Sequence, residues 1–331
     1  AFRQVGDRRG EAWALQNLAW IAFVTGRVAD AESRLGDATA TFTEIDDQTG
    51  LRWTEGLLAF VRFFQGRFDE AVELATRVHA DGERRNDRWA QAMMLIVLGA
   101  VDLWEGRTVR AVDVSGRSVA LFRSLGDAAG LQQAMSLAGR ALIMSGSVTD
   151  GLELIDEAVG DVHPADVDPQ HMMSVASSVA ARVQLGVDQV VDPAALAEVL
   201  YARLDAERPA ELLAGVALAL AQAGEVDTAR RLCSVEDDAT VSAADPTPRP
   251  AMLNGYSSVA RALVAAALGA HADAAALAEA MTFDSTYLDR TMVGVAVALG
   301  RGPGWLDALV SARGELGGTG DHLTRATVDL A

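Results

Sequence analysis

The side chains that most often perform chemistry in proteins are few in this 331-residue sequence and lie far apart. Two histidines three or four positions apart on a helix can bind one metal ion, but no pair here has that spacing. Arg supplies all 28 basic residues, and without Lys a Gly-x-x-x-x-Gly-Lys phosphate loop cannot form. We therefore expect a protein that is not an enzyme and that holds no metal ion or cofactor. The histidines are His79, His163, His171, His271 and His322.

The remaining nucleophile and the acidic clusters lead to the same prediction. Cys233 is the single cysteine, and one cysteine cannot form an intrachain disulfide or a cysteine-based zinc site. The acidic run at residues 236–238 lacks the alternating oxygen ligands of a calcium loop. An enzyme with its site near the turn-rich residues 164–171 is kept as an alternative.

The charge balance excludes several classes of partner. Asp and Glu number 46 against 28 basic residues, which gives a net charge of −18. Nucleic acids and anionic membrane surfaces both bind basic patches, so neither is an expected partner. The longest apolar run, residues 90–101, is interrupted by Gln91 and is too short to span a bilayer, which takes about 18 residues or more. We expect a cytoplasmic protein.

The sequence repeats itself every 40 residues through its first half. A glycine begins a related hexapeptide at four positions: Gly26, Gly66, Gly106 and Gly146. Three further columns, meaning sets of equivalent positions 40 residues apart, repeat in step with these glycines. One column consists of aspartates and two consist of small residues. They are Asp7, Asp47, Asp87 and Asp127; Ala19, Ala59, Gly99 and Gly139; and Ala31, Ala71, Ala111 and Gly151. Four columns in phase over four units predict a structural repeat.

Each unit is predicted to form a pair of helices. In the first unit, residues 11–25 place Leu15, Leu18 and Ala22 at the spacing of three and four that a helix requires. Glycine then ends this helix because it adopts positive φ without strain, and a second amphipathic segment follows at residues 28–45. The small residues of the two helices lie 12 positions apart, so they should face each other where the helices approach to about 8 Å.

This pairing of small residues resembles the tetratricopeptide repeat, in which a small residue of the first helix is followed twelve positions later by alanine in the second. A leucine also precedes the first small residue, at Leu18, Leu58 and Leu98. The period of 40 exceeds the usual 34, so each helix is longer by nearly one turn. The resemblance implies an all-α fold, a right-handed α-solenoid of about eight helical hairpins.

The repeat weakens after residue 163. The glycine-led hexapeptide returns at Gly224 and Gly269, and turn-rich stretches containing Pro lie at residues 160–169 and 235–250. We predict regular repeats over residues 1–163 and divergent hairpins over residues 164–331 that continue one solenoid. Two abutting helical domains are the alternative. Residues 2–7 match residues 122–127 three periods later, which suggests that the chain is part of a longer array.

Aromatic residues are concentrated near the N-terminus, where 13 of the 18 precede residue 126. In tetratricopeptide folds the first helix of each repeat lines a concave wall that binds ligands. The resemblance places eight candidate binding residues on that wall: Trp13, Gln16, Trp20, Trp53, Phe60, Phe64, Trp104 and Arg140. Trp and Arg are frequent binding hot spots, and Arg140 is suited to a carboxylate. In the alternative interpretation these rings pack between repeats as core.

The period of 40 and the sequence at residues 13–20 are similar to the repeat arrays of large actinobacterial signalling ATPases of the STAND class. That similarity implies a non-catalytic interaction or sensor scaffold within a multidomain signalling or transcription regulator. Its partner would be a protein or peptide, a small-molecule inducer, or another domain of the same chain. The alternative is a structural module for oligomerisation or spacing that binds no ligand.

Overall fold

The computed structural model describes residues 2–24, 27–160, 225–233, 251–279 and 305–316, together with residue 325 and scattered positions between 175 and 221. Every regular element in these residues is a helix, which confirms the all-α prediction. In chain order the helices are α1 (Phe2–Val5), α2 (Arg8–Val24), α3 (Val28–Glu44), α4 (Gln48–Phe64), α5 (Phe68–Arg85), α6 (Arg88–Trp104), α7 (Thr108–Leu125), α8 (Ala128–Met144), α9 (Val148–Val159), α10 (Ala251–Ala267), α11 (His271–Glu279) and α12 (Trp305–Leu316).

Helices α2–α9 form consecutive hairpins that pack neighbour to neighbour. The A helices are α2, α4, α6 and α8; the B helices are α3, α5, α7 and α9. Each A helix packs on its own B helix and on the B helix before it, and successive A helices also touch. This arrangement is an α-solenoid, as predicted. The predicted hand and the total of about eight hairpins remain predictions, because part of the second half lies outside the described residues.

The turns between helices depend on residues with positive φ. The turn from A to B helix uses Gly66, Gly106 and Gly146 at φ values of 74°, 77° and 96°, which confirms the predicted role of these glycines. Gly26 lies outside the described residues. The turn from B to A helix also needs a left-handed residue, and Asp46 and Asn86 supply it at φ values of 53° and 55°. Both residue types tolerate this conformation better than most.

The aspartate column marks the first turn of each A helix. At Asp47, one side-chain oxygen accepts a hydrogen bond from the backbone N–H of Gly50 at 3.0 Å. The same contact, three residues along, measures between 2.8 and 3.0 Å at Asp7, Asp87 and Asp127. A carboxylate here satisfies an otherwise unpaired N–H and lies at the positive end of the helix dipole. The sequence pattern showed the column, and the structure shows that its members are helix caps.

The two columns of small residues bring A and B helices into close contact, as predicted. The alanines of these columns are fully buried. Between α8 and α9 the backbones themselves touch: a methyl group added at Gly151 would lie 2.6 Å from the carbonyl oxygen of Gly139. No side chain fits between helices at this separation, so the residue type is fixed by the packing.

A second contact, from each B helix to the next A helix, inserts a ring against a glycine. The Phe42 side chain is fully buried, and a methyl group at Gly50 would lie 2.3 Å from its ring. Phe122 and Gly130 repeat this arrangement with the same separation. The pairs are 80 residues apart, two periods, and the ring and the glycine are complementary in volume.

The junction between α5 and α6 replaces this pair. The position of the ring is taken by Gly82, and that of the glycine by Ala90. The side-chain N–H of Gln91 instead donates to the carbonyl oxygen of Gly82 at 3.1 Å. The ring and the glycine have therefore changed together, which keeps the contact filled.

The second half contributes one hairpin with both helices described. Helices α10 and α11 pack together about Gly269, whose φ is 80°, and the predicted facing residues Ala262 and Ala274 are both fully buried. Helix α12 covers the helix predicted at residues 305–312. The helices predicted at residues 171–185, 193–204 and 287–299 lie wholly or largely outside the described residues. The division at residue 163 remains a prediction.

None of the helices that the structure describes combines the length and the apolar character needed to cross a membrane.

We expect Gly50→Ala to destabilise the protein, because the added methyl group would overlap the Phe42 ring. Overpacking of this kind typically costs about 1–3 kcal/mol. The matched control is Gly36→Ala in α3, where the new methyl group meets open space and should stabilise the helix by about 0.5–1 kcal/mol. Urea unfolding measures both changes. Equal effects of the two substitutions would show that the ring-to-glycine contact is not formed.

Candidate functional site

A cavity of about 460 Å³ opens among the first three A helices. This volume falls within the range of roughly 300–1,000 Å³ that is typical of ligand sites. Most of its lining is apolar, with a small number of polar groups. The side chains that define it come from α2, α4 and the start of α6: Trp13, Gln16, Trp20, Trp53, Phe60 and Trp89.

Three tryptophans of the lining form a continuous row across successive A helices. The rings of Trp13 and Trp53 meet edge to face, with centroids 6.4 Å apart. Trp53 then stacks on Trp89 at 4.9 Å with an interplanar angle of 23°. At the other end, Trp13 contacts the ring of Phe42 at 5.3 Å. Trp53 remains 41% exposed, so the row presents ring surface to the cavity and to solvent.

Both ends of this row are hydrogen-bonded to a cap aspartate of the following repeat. The indole N–H of Trp89 donates to Asp127 at 2.7 Å, using the carboxylate oxygen that does not cap α8. Asp47 receives a hydrogen bond from Trp13 and another from the Arg9 guanidinium, the latter at 2.8 Å. These contacts fix the orientation of the rings before any ligand arrives.

The environment of Asp47 favours its charged form. The hydrogen bond from the Gly50 backbone N–H lowers the pKa of Asp47 most strongly, burial opposes it, and the contacts with Arg9 and Trp13 lower it further. The net result is a pKa below the ordinary value. The cap of α4 is therefore a carboxylate at neutral pH.

Gln16 is the polar side chain in the deepest position. It is only 6% exposed, it lines the cavity, and it forms no hydrogen bond to another described residue. Its carboxamide offers a carbonyl acceptor and two N–H donors. Neither its oxygen nor its nitrogen is among the described polar atoms that are shut off from solvent without a partner, so the carboxamide reaches the open space of the cavity. The cavity wall therefore contains a carboxamide whose donors and acceptor are not used by any other described residue.

The charged groups beside the cavity are already compensated. The Arg52 guanidinium pairs with Glu55. Arg85 pairs with Asp81 at 2.5 Å. Asp87 caps α6 through the backbone N–H of Ala90 at 3.0 Å. The cavity thus carries no excess charge of either sign to balance an ionic ligand.

The structure brings together five of the eight predicted site residues. Trp13, Gln16, Trp20, Trp53 and Phe60 line the same cavity. The other three predicted residues, Phe64, Trp104 and Arg140, do not line this cavity.

Phe64 is not part of the lining and contacts the ring of Phe23 at 5.4 Å. Trp104 is 4% exposed within an apolar cluster that extends from α4 to α9, so for this residue the alternative interpretation as core describes its position. Arg140 is partly buried on α8, beyond the helices that form the cavity.

Sequence reasoning missed Trp89. This residue follows the cap Asp87 by two positions, the same offset by which Arg9 follows Asp7. Both side chains donate to the cap aspartate that lies 38 residues later. The sequence therefore contained a signal for Trp89. A side chain that can donate a hydrogen bond lies two positions after one cap aspartate and 38 positions before the next.

The described residues contain no group of three His, Cys, Asp or Glu side chains arranged to hold a metal ion. Cys233 is buried.

No family model matches the chain, and no curated protein is significantly similar to it. The likeness to tetratricopeptide repeats therefore rests on the residues and packing described above.

We expect Asp47→Asn to reduce stability at neutral pH and to matter less in acid. Asparagine can still cap the helix, so the substitution removes mainly the charge, worth about 1 kcal/mol. The folded-state pKa of Asp47 lies below the unfolded value of about 3.9. Its stabilisation is therefore complete above that unfolded value and is lost as the pH falls through the folded pKa. Urea unfolding of both proteins across this range measures the difference, and a pH-independent difference would contradict the prediction.

Proposed function

We propose that this chain is a non-catalytic binding scaffold that holds an apolar ligand in the aromatic cavity on its A-helix face. The observation that carries the proposal is the cavity itself. It combines four tryptophans with one buried, unpaired carboxamide, and its volume suits a ligand rather than a few water molecules. Chance packing defects in protein cores are few and small.

The fixed orientation of the rings supports this role. Trp13 and Trp89 are held by hydrogen bonds to the caps of the next repeats, and Trp53 is stacked between them. A ligand that enters such a site does not have to order these side chains, so less free energy is lost on binding. Tryptophan is also the residue most enriched among binding hot spots.

The candidate ligands are a peptide or protein segment with apolar side chains and a small apolar inducer. Another part of the same chain is a third candidate. Helix α10 contacts α4, the helix that supplies Trp53 and Phe60, so the second half of the chain reaches this region.

We also propose a finer identity for the scaffold, based on its repeats. The hairpins, the small-residue columns and the 40-residue period support a tetratricopeptide-like array with longer helices. We place such an array as the sensor part of a multidomain signalling or transcription regulator, where ligand binding would act on an effector domain.

We expect Trp53→Ala to weaken the binding of an uncharged apolar dye, N-phenylnaphthylamine, by roughly tenfold or more, since truncating a hot spot commonly costs over 1 kcal/mol. Stability should fall only modestly because the ring is 41% exposed. The matched control is Phe64→Leu, which changes a ring outside the cavity and should leave the affinity unchanged. Dye fluorescence gives the Kd. The absence of saturable binding, or equal affinity in the Trp53 variant, would refute the proposal.

A second candidate function, self-association, is favoured by one surface of α2. Ile21 is 48% exposed, and Leu18 on the same helix is 45% exposed. The residues that correspond to Ile21 in the next three repeats are Val61, Val101 and Ala141, and each is at most 1% exposed. In the inner repeats this position is thus covered by neighbouring helices of the same kind. On α2 this position can take a helix of the same kind, from a further repeat of a longer array or from a second copy of the chain.

If α2 mediates self-association, Ile21→Glu should produce a monomer, because a charge would then be buried in the contact. Sedimentation velocity over a range of concentrations measures this. Val109→Glu is the control, since Val109 is 76% exposed on α7. A wild-type protein that stays monomeric at all concentrations would remove this candidate.

A further inference from the structure

We infer that the ligand of the aromatic cavity is an uncharged molecule or segment that carries a carboxamide, and that Gln16 recognises this group. The inference rests on the proposed function of the cavity and specifies its ligand. The sequence analysis placed Gln16 on the binding face without assigning what it would bind.

The first argument is that Gln16 has no structural task in the described part of the protein. Its side chain is more than nine-tenths buried and has no hydrogen-bond partner among the described residues. At the same repeat position the other A helices carry Gly56, Ile96 and Ser136, so the fold does not require an amide there. An apolar side chain would fill this position without an unpaired polar group, as Ile96 does.

The second argument is the hydrogen-bonding pattern of the group. A carboxamide presents an acceptor and a donor side by side. Another carboxamide presents the complementary pair, so the two can form two parallel hydrogen bonds. A ketone or ester accepts from the N–H but leaves the Gln16 carbonyl oxygen unpaired. A carboxylate does the same and also carries a charge into an apolar site.

The third argument concerns charge. Arg52, Arg85 and Asp87 line the cavity, and the Asp87 carboxylate is engaged in capping α6 rather than left to balance a cation. Both guanidinium groups are paired with carboxylates, so neither is left to balance an anion. The site therefore selects an uncharged polar group attached to an apolar one.

The fourth argument is the space that Gly56 leaves in the lining. A methyl group at this position would meet Met94 at 3.5 Å, an ordinary contact. Alanine would therefore fit, and it would favour the helix more than glycine does. Glycine at this position keeps volume open in the cavity that Gln16 also lines, rather than relieving a clash.

The test uses two probes that differ by one group. Hydrocinnamamide carries a phenyl ring and a carboxamide, and benzylacetone replaces the NH₂ group with a methyl group. Tryptophan fluorescence, excited where the phenyl probes do not absorb, gives the Kd of each. We expect wild-type protein to bind the amide about tenfold more tightly, since a buried hydrogen-bonding group left unpaired costs about this factor.

Gln16→Met tests the residue directly, because methionine has nearly the same shape without the amide. We expect its affinity for hydrocinnamamide to fall about tenfold and its affinity for benzylacetone to stay the same or rise. The melting temperature should not fall, because Gln16 has no partner to lose. A structural role would instead lower the melting temperature and weaken both probes together.

Gly56→Leu is the second variant and fills the cavity next to Gln16. It should weaken both probes while the protein stays folded by circular dichroism. If it weakens neither, the probes bind elsewhere and the inference is overturned.

The outcomes separate this inference from the proposed function. Equal wild-type affinity for the two probes, or a preference that persists in Gln16→Met, overturns the role of Gln16 and leaves the cavity as an apolar site. Binding of neither probe, together with no binding of the apolar dye, overturns both. Blocked Leu-Gln-Leu and Leu-Met-Leu peptides identify the source: a preference for the first assigns the carboxamide to a polypeptide, and equal weak binding assigns it to a small amide.

Discussion

Two cap aspartates, Asp47 and Asp127, join neighbouring repeats because the two oxygens of each carboxylate serve different neighbours. At Asp127 one oxygen starts α8 and the other receives the indole N–H of Trp89 from the preceding repeat. At Asp47 the cap of α4 is likewise joined to Arg9 and Trp13. The start of a helix and the register between repeats are thereby set by one side chain. A helix that began one residue earlier or later would lose both contacts.

This arrangement explains why the candidate site and the fold are difficult to separate. The A–B contacts accept only alanine or glycine in the four regular repeats, and at Gly139 and Gly151 the backbones leave no room for a side chain. The contacts between A helices tolerate large side chains, and tryptophans occupy them where the cavity forms. Binding surface is therefore built from positions that the close A–B packing leaves unconstrained. The same division lets one repeat carry Gln16 where another carries a buried isoleucine.

Much of the fold could be predicted from the sequence because backbone geometry restricts the residue types. Positive φ in the turns demands residues such as Gly66, and backbone contact demands residues such as Gly151, so both leave periodic marks. The depth to which a side chain is buried, by contrast, produces no periodic pattern of residue types in the sequence. Trp53 and Trp104 were predicted on the same face, yet one is 41% exposed and the other 4%. Helical spacing gives the direction of a side chain, whereas exposure depends on what the neighbouring repeats place against it.

The exchanged pair at the α5–α6 junction bears on the shape of the array. Where Phe42 and Phe122 insert a ring between consecutive helices, this junction has Gly82 and Ala90. Gln91 keeps the contact at this junction filled, but a carboxamide differs in shape from a ring, so the rotation from one hairpin to the next can differ here. Curvature in a solenoid is the sum of such rotations. Since Ala90 also lines the cavity, the bend of the array and the depth of its binding surface can change through a single aromatic–glycine pair without any change of period.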